Sequence, residues 1–248
     1  HLPVKALQPH NAGNGRNSRI QNVFSYGDVT NTNDNPGIII GYVRGTLTAK
    51  GIVAYNKEAL LNDSFVDINN IVGNGNLTFE DGKVEADVVK AFTKQQIESG
   101  EVAYLLAEGK VLGEKAWGQQ LGMDQYPVPG SDYKVVKAAQ GDKDANGNDT
   151  YWATFSNPTN DVTLSVSSDR TLKVYNATVS GGKMTLTERN DTQVAKKEGV
   201  LLKTDVEYVN AKANETNDLT KVSSDVNHLV ATPAEAQTIT AETGYKLY

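Results

Sequence analysis

Oxygen-bearing side chains recur along one short stretch near the middle of the chain, GDKDANGNDT, which covers residues 141–150. Asp142, Asp144, Asn146 and Asp149 present carboxylate and amide oxygens at alternate positions around Gly147. Calcium takes about 6–8 hard oxygen ligands, and a tightly curled chain can supply several of them. These four residues are therefore the candidate metal ligands, and Ca²⁺ is the one cofactor that the sequence suggests.

The same stretch has a second interpretation as a plain turn. A calcium loop of the usual kind ends on a bidentate glutamate, but the twelfth position counted from Asp142 is Ala153. Asn-Gly is the strongest hairpin pair, so residues 141–150 also fit a turn that joins YKVVKAA to TYWATF. Both interpretations remain open from the sequence alone.

Other groups that could do catalysis are scattered. The three histidines, His1, His10 and His228, show no metal-binding spacing, and the chain has neither a cysteine nor a Gly-x-Ser-x-Gly elbow. Paired carboxylates about 5–10 Å apart could cleave sugars. The candidates for such a pair are Asp63, Asp67, Glu80, Asp81 and Glu85. Solvation of a loop explains each of them more simply, so we predict no catalytic residue and no enzyme.

Sugar binding would require exposed aromatic rings. The chain has 11 tyrosines and 2 tryptophans, Trp117 and Trp152. Trp152 stands on the opposite side of its predicted strand from Tyr151 and Ala153. We expect both tryptophans to serve core packing, because large rings bury much apolar area.

The bulk composition excludes some partners. The 248 residues carry a net charge of −6 without any cluster of Lys and Arg, which argues against nucleic acid. No apolar run approaches the ~20 residues that span a bilayer, so we expect no membrane insertion.

Short β-branched runs separated by Gly, Asn and Asp predict a mainly β protein. The exception is FTKQQIESGEVAYLL, where Thr93 and Gln96 have the spacing of a capping box. Gly100 weakens the middle of this stretch. We expect one or two helical turns on each side of Gly100.

An internal repeat marks the N-terminal part. QNVFSYGDVTN and KGIVAYNKEAL align with Tyr26 over Tyr55, an offset of 29 residues. A repeat of this length is typical of stacked units and predicts a short β-solenoid, in which Phe24 lies over Val53. A β-meander with chance similarity is the alternative.

The C-terminal half alternates apolar and polar residues from Val162 onward, with a two-residue hairpin signal at Gly181-Gly182. GVLLKT, VEYVNAKA, NHLVATP and TGYKLY follow as further predicted strands. Strands at this spacing suggest a β-sandwich.

Three stretches of the chain resemble known sequence modules. In PGIIIGYVRGTLTAKGIVAYN, the positions of Gly37, Gly41, Gly45 and Leu47 resemble the GLUG repeat of surface proteins from Bacteroides-type bacteria. Residues 99–130 resemble a helical linker of the same proteins.

In that linker, Trp117, Leu121-Gly122 and Tyr126-Pro127-Val128 match in order. The third stretch, YNATVSGGKMTLTERNDTQVAKKEGVLLKT, resembles the C-terminal sandwich-like module of these proteins, although Lys196-Lys197-Glu198 departs from its pattern.

The resemblance implies three regions: a GLUG-like β-solenoid at 1–86, a helical linker at 87–130 and a β-sandwich-like domain at 131–248. It also implies a cell-surface or secreted, adhesin-like module that binds a glycan or a surface protein. A polysaccharide lyase or hydrolase, an accessory module of such an enzyme, and a purely structural stalk are the alternatives.

Overall fold

A computed structural model describes residues 18–25, 46–56, 76–79, 89–107 and 117–231. Most of the regular structure is β, as the sequence predicts. The chain divides into two compact units, His1–Val136 and Lys137–Tyr248. The predicted region boundaries at residues 86 and 130 remain predictions.

The first unit combines parallel strands with two short helices. Its elements are β1 (Ser18–Ser25), β2 (Thr46–Asn56), β3 (Asn76–Phe79), β4 (Val89–Phe92), α1 (Lys94–Glu98), α2 (Glu101–Leu106), β5 (Trp117–Gly118) and β6 (Val128–Pro129). β2 lies between β1 on one side and β3 and β4 on the other, and all these pairs are parallel. The repeated segments are thus neighbouring strands, as the repeat predicts.

The register of β1 on β2 differs from the predicted one. Gln21 pairs with Lys50, which keeps the offset of the repeat, but Val23 pairs with Val53 and Phe24 with Ala54. β2 therefore contains one more residue than β1 in this stretch, at the Gly51-Ile52 step. Such an insertion is a β-bulge, for which glycine is well suited. The predicted placement of Phe24 over Val53 is off by one position.

The helical stretch forms as predicted. Thr93 caps α1 in a complete capping box with Gln96, and Gly100, at φ 94°, separates α1 from α2. A glycine takes this left-handed conformation without steric cost. A small apolar core surrounds the helices and is formed by Phe92, Ile97, Val102 and Leu106, with Leu105, Trp117 and Tyr126 packed against it. Trp117 thus serves core packing, as expected.

The second unit and the residues that lead into it are antiparallel. The strands are β7 (Tyr133–Lys137), β8 (Ala139–Gln140), β9 (Tyr151–Ser156), β10 (Val162–Ser165), β11 (Leu172–Ser180), β12 (Lys183–Glu188), β13 (Gln193–Val194), β14 (Gly199–Thr204) and β15 (Tyr208–Ala213). They form two open sheets, in the orders β13-β10-β15-β7 and β12-β11-β14-β9-β8. Gly181 (φ 55°) and Gly182 (φ 74°) turn the β11–β12 hairpin, as predicted.

Both sheets bury alternate residues, such as Val162 and Leu164 in β10 and Val200 and Leu202 in β14. After β15 the chain continues as residues 214–231, which we name the strap. The predicted strand NHLVATP is not formed within the strap, where the one β contact is an isolated bridge between Glu198 and Val230. TGYKLY lies outside the described residues. None of the described helices has the length and apolarity needed to cross a membrane.

Candidate functional site

The five-stranded sheet has one face that is only partly buried. Along β14, Val200, Leu202 and Thr204 are buried, whereas Leu201 and Lys203 point to the other side and are half-exposed. Residues directly opposite each other on antiparallel strands share a face. We name the side that carries Leu201 and Lys203 the outer face.

Strand register brings two aromatic residues onto the outer face. Trp152 of β9 lies opposite Lys203, and Tyr175 of β11 lies opposite Leu201. The two rings reach over β14 until their centroids are 6.0 Å apart with a tilt of 33°. Both side chains are half-buried, so Trp152 is not the core residue that the sequence suggests. Separations of about 4.5–7 Å are typical of attractive ring pairs.

The backbone at Gly141 fixes one edge of the indole. A Cβ atom at Gly141 would lie 2.6 Å from Cδ1 of Trp152. Any residue other than glycine at this position would therefore clash with the ring. On its face, the ring contacts the Lys203 ammonium, which lies 5.2 Å from the ring centroid. A cation over an indole face is attracted by the ring quadrupole.

Charged groups border the aromatic pair on the β12 side. Glu188 Oε2 lies 3.0 Å from Lys173 Nζ and accepts a hydrogen bond of 3.4 Å from the Tyr175 hydroxyl. The hydrogen bond and charge of Glu188 raise the pKa of Lys173. Burial, followed by the negative charge of Glu188, raises the pKa of Tyr175. The phenol therefore stays protonated and can donate a hydrogen bond.

The candidate calcium residues lie in the loop between β8 and β9, whose two strands pair as the hairpin interpretation predicts. Asp144 Oδ1 accepts hydrogen bonds from the backbone amides of Asn146 (2.8 Å) and Asn148 (2.9 Å). These bonds, first of all those from Asn148, lower the pKa of Asp144. The Asp144 carboxylate is thus already engaged by the loop itself.

Lys143 occupies the other end of the loop. Its ammonium lies 2.8 Å from Asp149 Oδ1 and 3.2 Å from the Gly147 carbonyl oxygen. The hydrogen bond and charge of Lys143 lower the pKa of Asp149, and Asp149 in turn raises the pKa of Lys143. Asp142 and Asn146 are exposed. Across the described ranges, no three His, Asp or Glu side chains come together as a metal-binding group. Calcium binding at residues 142–149 stays a prediction.

Two buried carboxylates were not singled out by the sequence. Asp161 is fully buried, and its two oxygens each accept a 2.7 Å hydrogen bond, from the backbone amides of Lys196 and Leu219. Glu198 is 2% exposed and accepts 3.1 Å bonds from the backbone amides of Ala195 and Val222. Both acids thus tie the strap to the turn before β14.

Arg189 completes this arrangement. Its Nη1 lies 3.1 Å from Glu198 Oε2, although the atoms are not aligned for a hydrogen bond, so the contact is ionic. One feature of the sequence pointed to this turn: Lys196-Lys197-Glu198 departs from the pattern of the sandwich-like module. In the structure, Lys197 takes the left-handed conformation there, with φ 63°. Backbone amides hold both acids, which gives them a structural role.

Of the histidines and candidate catalytic carboxylates, His228 alone lies within the described residues. His228 is exposed, and its Nδ1 is 2.9 Å from the backbone nitrogen of Val179, which donates to it. Asn227 Oδ1 accepts from the backbone nitrogen of Ala177, so these two strap residues cover part of the β11 edge. His1 and His10 lie outside the described residues. The same is true of the candidate carboxylates Asp63, Asp67, Glu80, Asp81 and Glu85.

Comparison with known proteins gives no relative to guide the interpretation. No family model, no curated protein and no solved structure matches this chain.

Proposed function

We propose that this chain is a non-enzymatic cell-surface or secreted module, adhesin-like, that binds a glycan through the outer face. The observation that carries the proposal is the half-exposed pair of Trp152 and Tyr175, held 6.0 Å apart on a sheet. The resemblance to GLUG-containing surface proteins of Bacteroides-type bacteria supports a cell-surface or secreted location.

The chemistry of the outer face suits a sugar. The C–H faces of a pyranose ring are apolar and can lie against an aromatic ring, which offers a large rigid surface at little entropic cost. Sugar hydroxyls need donors and acceptors at the rim of such a surface. The Tyr175 hydroxyl, the Glu188 carboxylate and the Lys173 ammonium supply both kinds of group within one strand spacing.

The positions of the rings are fixed by regular structure. Trp152 and Tyr175 stand on strands that both pair with β14, and Gly141 holds the indole edge from the loop side. Sites on strands keep their geometry better than sites on mobile loops. A preorganised platform of this kind loses little entropy when it binds.

The finer architecture belongs to the same proposal. Parallel pairing of β1, β2 and β3 supports a solenoid in region 1–86, because consecutive coils of a solenoid stack as parallel strands. Burial of alternate residues in both antiparallel sheets supports a sandwich in region 131–248. Repeated coils and a sandwich would both present long surfaces to an extended ligand.

A glycan-array screen of the purified chain, with and without calcium, tests the function. We expect binding that is lost in Trp152→Ala and Tyr175→Ala. Tyr151→Ala is the matched control, since Tyr151 precedes Trp152 on the same strand but points to the opposite face. Thermal melting of each variant verifies folding. Absence of glycan binding, or binding that both outer-face variants retain, would refute the proposal.

A further inference from the structure

Two lysines lie directly opposite each other on the outer face. Lys173 of β11 pairs in register with Lys203 of β14, and Lys203 pairs with Trp152 of β9. Like charges in this position repel and destabilise a sheet. A fold that keeps them must neutralise each cation, or leave one for a ligand.

The two lysines are neutralised differently. Lys173 forms an ion pair with Glu188 at 3.0 Å. Lys203 instead lies over the indole of Trp152, and in the described part of the chain no carboxylate is within ion-pair distance of it. Asp144 is near enough for its charge to interact with Lys203, but its oxygens accept hydrogen bonds from Asn146 and Asn148. The donors of the Lys203 ammonium are therefore available to an anion.

We infer that the outer face selects anionic glycans, in which a carboxylate or sulfate group at the edge of the sugar ring binds to Lys203. This inference rests on the proposed function. A carboxylate on a pyranose projects sideways from the ring, so a sugar lying against Tyr175 and the edge of Trp152 can direct its anion toward Lys203. The ligand's anion supplies the close ion pair that no carboxylate in the described part of the chain gives Lys203.

Lys203 also works against neutral sugars. A neutral ring that stacks on the indole face covered by Lys203 has to move the ammonium away and gives it no charged partner in return. An anionic ring gives the same ammonium a charge-assisted partner. Exposed cation–π contacts and ion pairs of this kind each correspond to a factor of about 2–5 in affinity, so we expect a preference of about 10-fold for the anionic form.

Matched polymers isolate the contribution of the charge. Polygalacturonate and its fully methyl-esterified form share one backbone and differ in the carboxylate, whereas dextran sulfate and dextran differ in the sulfate. Biolayer interferometry on the full chain gives the affinity for each. We expect tighter binding of at least one anionic member, a preference that falls as salt is raised, and a preference that is lost in Lys203→Gln.

Lys183→Gln is the control for net charge. Lys183 lies on β12 of the same sheet, but its side chain alternates to the face opposite to that of Met184 and Glu188. It should leave the preference unchanged. The two pairs of polymers show which anion the site takes.

The possible failures can be told apart. Equal binding of charged and neutral polymers that depends on Trp152 would overturn the anionic preference and leave glycan binding intact. An anionic preference that Lys183→Gln reduces as much as Lys203→Gln would mean general charge attraction, and it would also overturn the inference. Binding that depends on neither Trp152 nor Tyr175 would remove both proposals.

Discussion

Asp161 gives the sharpest test of how the second unit is held together. Its carboxylate is fully buried and accepts two 2.7 Å hydrogen bonds, one from the backbone amide of Lys196 and one from that of Leu219. The substitution Asp161→Asn keeps the shape of the side chain. It removes the charge and directs an NH₂ group at one of the two backbone N–H groups.

The expected cost follows from these contacts. A hydrogen bond to a charged group contributes about 1.5–3 kcal/mol, and a buried donor left without an acceptor costs about 1–3 kcal/mol. Asp161→Asn weakens one bond and loses the other, so we expect the free energy of unfolding of the second unit to fall by about 3 kcal/mol. For a unit of this size each kcal/mol corresponds to about 4 °C, so the melting temperature should fall by about 12 °C.

Hydrogen exchange measured by mass spectrometry reports on this unit separately from the first. We expect amides of the buried strands β10 and β14 to exchange through global opening of the unit, and that of Leu219 to report on the strap. Asp169→Asn is the control. The Asp169 side chain is 71% exposed, and the ion pair that it forms with Arg170 Nε at 3.5 Å lies at the surface, where such pairs contribute little to stability. The control should change stability by less than about 0.5 kcal/mol.

A result with Asp161→Asn within about 1 kcal/mol of the unsubstituted chain would refute this reasoning. So would a large loss of stability that leaves the Leu219 amide as protected as before, because the strap would then not depend on Asp161. The first outcome would mean that the buried charge costs as much to desolvate as its two bonds return. The second would mean that Asp161 stabilises the unit through contacts other than the one to Leu219.

Three further predictions concern local structure. Thr93→Ala removes the capping box and should cost about 1 kcal/mol, seen as faster exchange in α1; unchanged exchange would contradict it. Gly118→Ala places a Cβ atom 2.0 Å from the Tyr133 carbonyl oxygen, so we expect a loss of about 3 kcal/mol in urea denaturation; wild-type stability would exclude so close an approach. The hydrogen bonds of Asp144 lower its pKa, so they stabilise the loop at pH values above the unfolded pKa of 3.8. This stabilisation is lost as the pH falls through the folded pKa. The Asn148 amide shift in an NMR titration should therefore change below pH 3.8, and a midpoint above it would contradict the lowered pKa.

Local sequence was enough wherever the interacting residues are close along the chain. The capping box of Thr93 and Gln96, the break at Gly100 and the Gly181-Gly182 hairpin are all present where the sequence predicts them. Each depends on backbone geometry and hydrogen bonds within about four residues, so the residue types determine it directly.

The register between β1 and β2 was harder to predict than the fact that the two strands are neighbours. The repeat places β1 beside β2, but the extra residue at Gly51-Ile52 moves the pairing by one position. A repeat reports which segments are equivalent. It does not report where one strand bulges, because a bulge changes pairing without changing the apolar pattern on either side.

The outer face is the feature that the sequence predicted least well. A pattern of alternation says that Trp152 lies on one side of its strand, but not whether that side is covered. Tyr175 and Lys203, which decide the surroundings of Trp152, come from two other strands. Asp161 and Glu198 were missed for the same reason, since the amides that they bind include Leu219 and Val222 from the strap.

The sequence by itself determined the β-rich character, the position of the helices and the turns, because these depend on residue type and short-range spacing. Only the tertiary structure decided which aromatic residues meet, which lysine lies over the indole of Trp152 and which acids are buried. Those properties depend on contacts between strands far apart in the chain, and chain connectivity alone does not specify them.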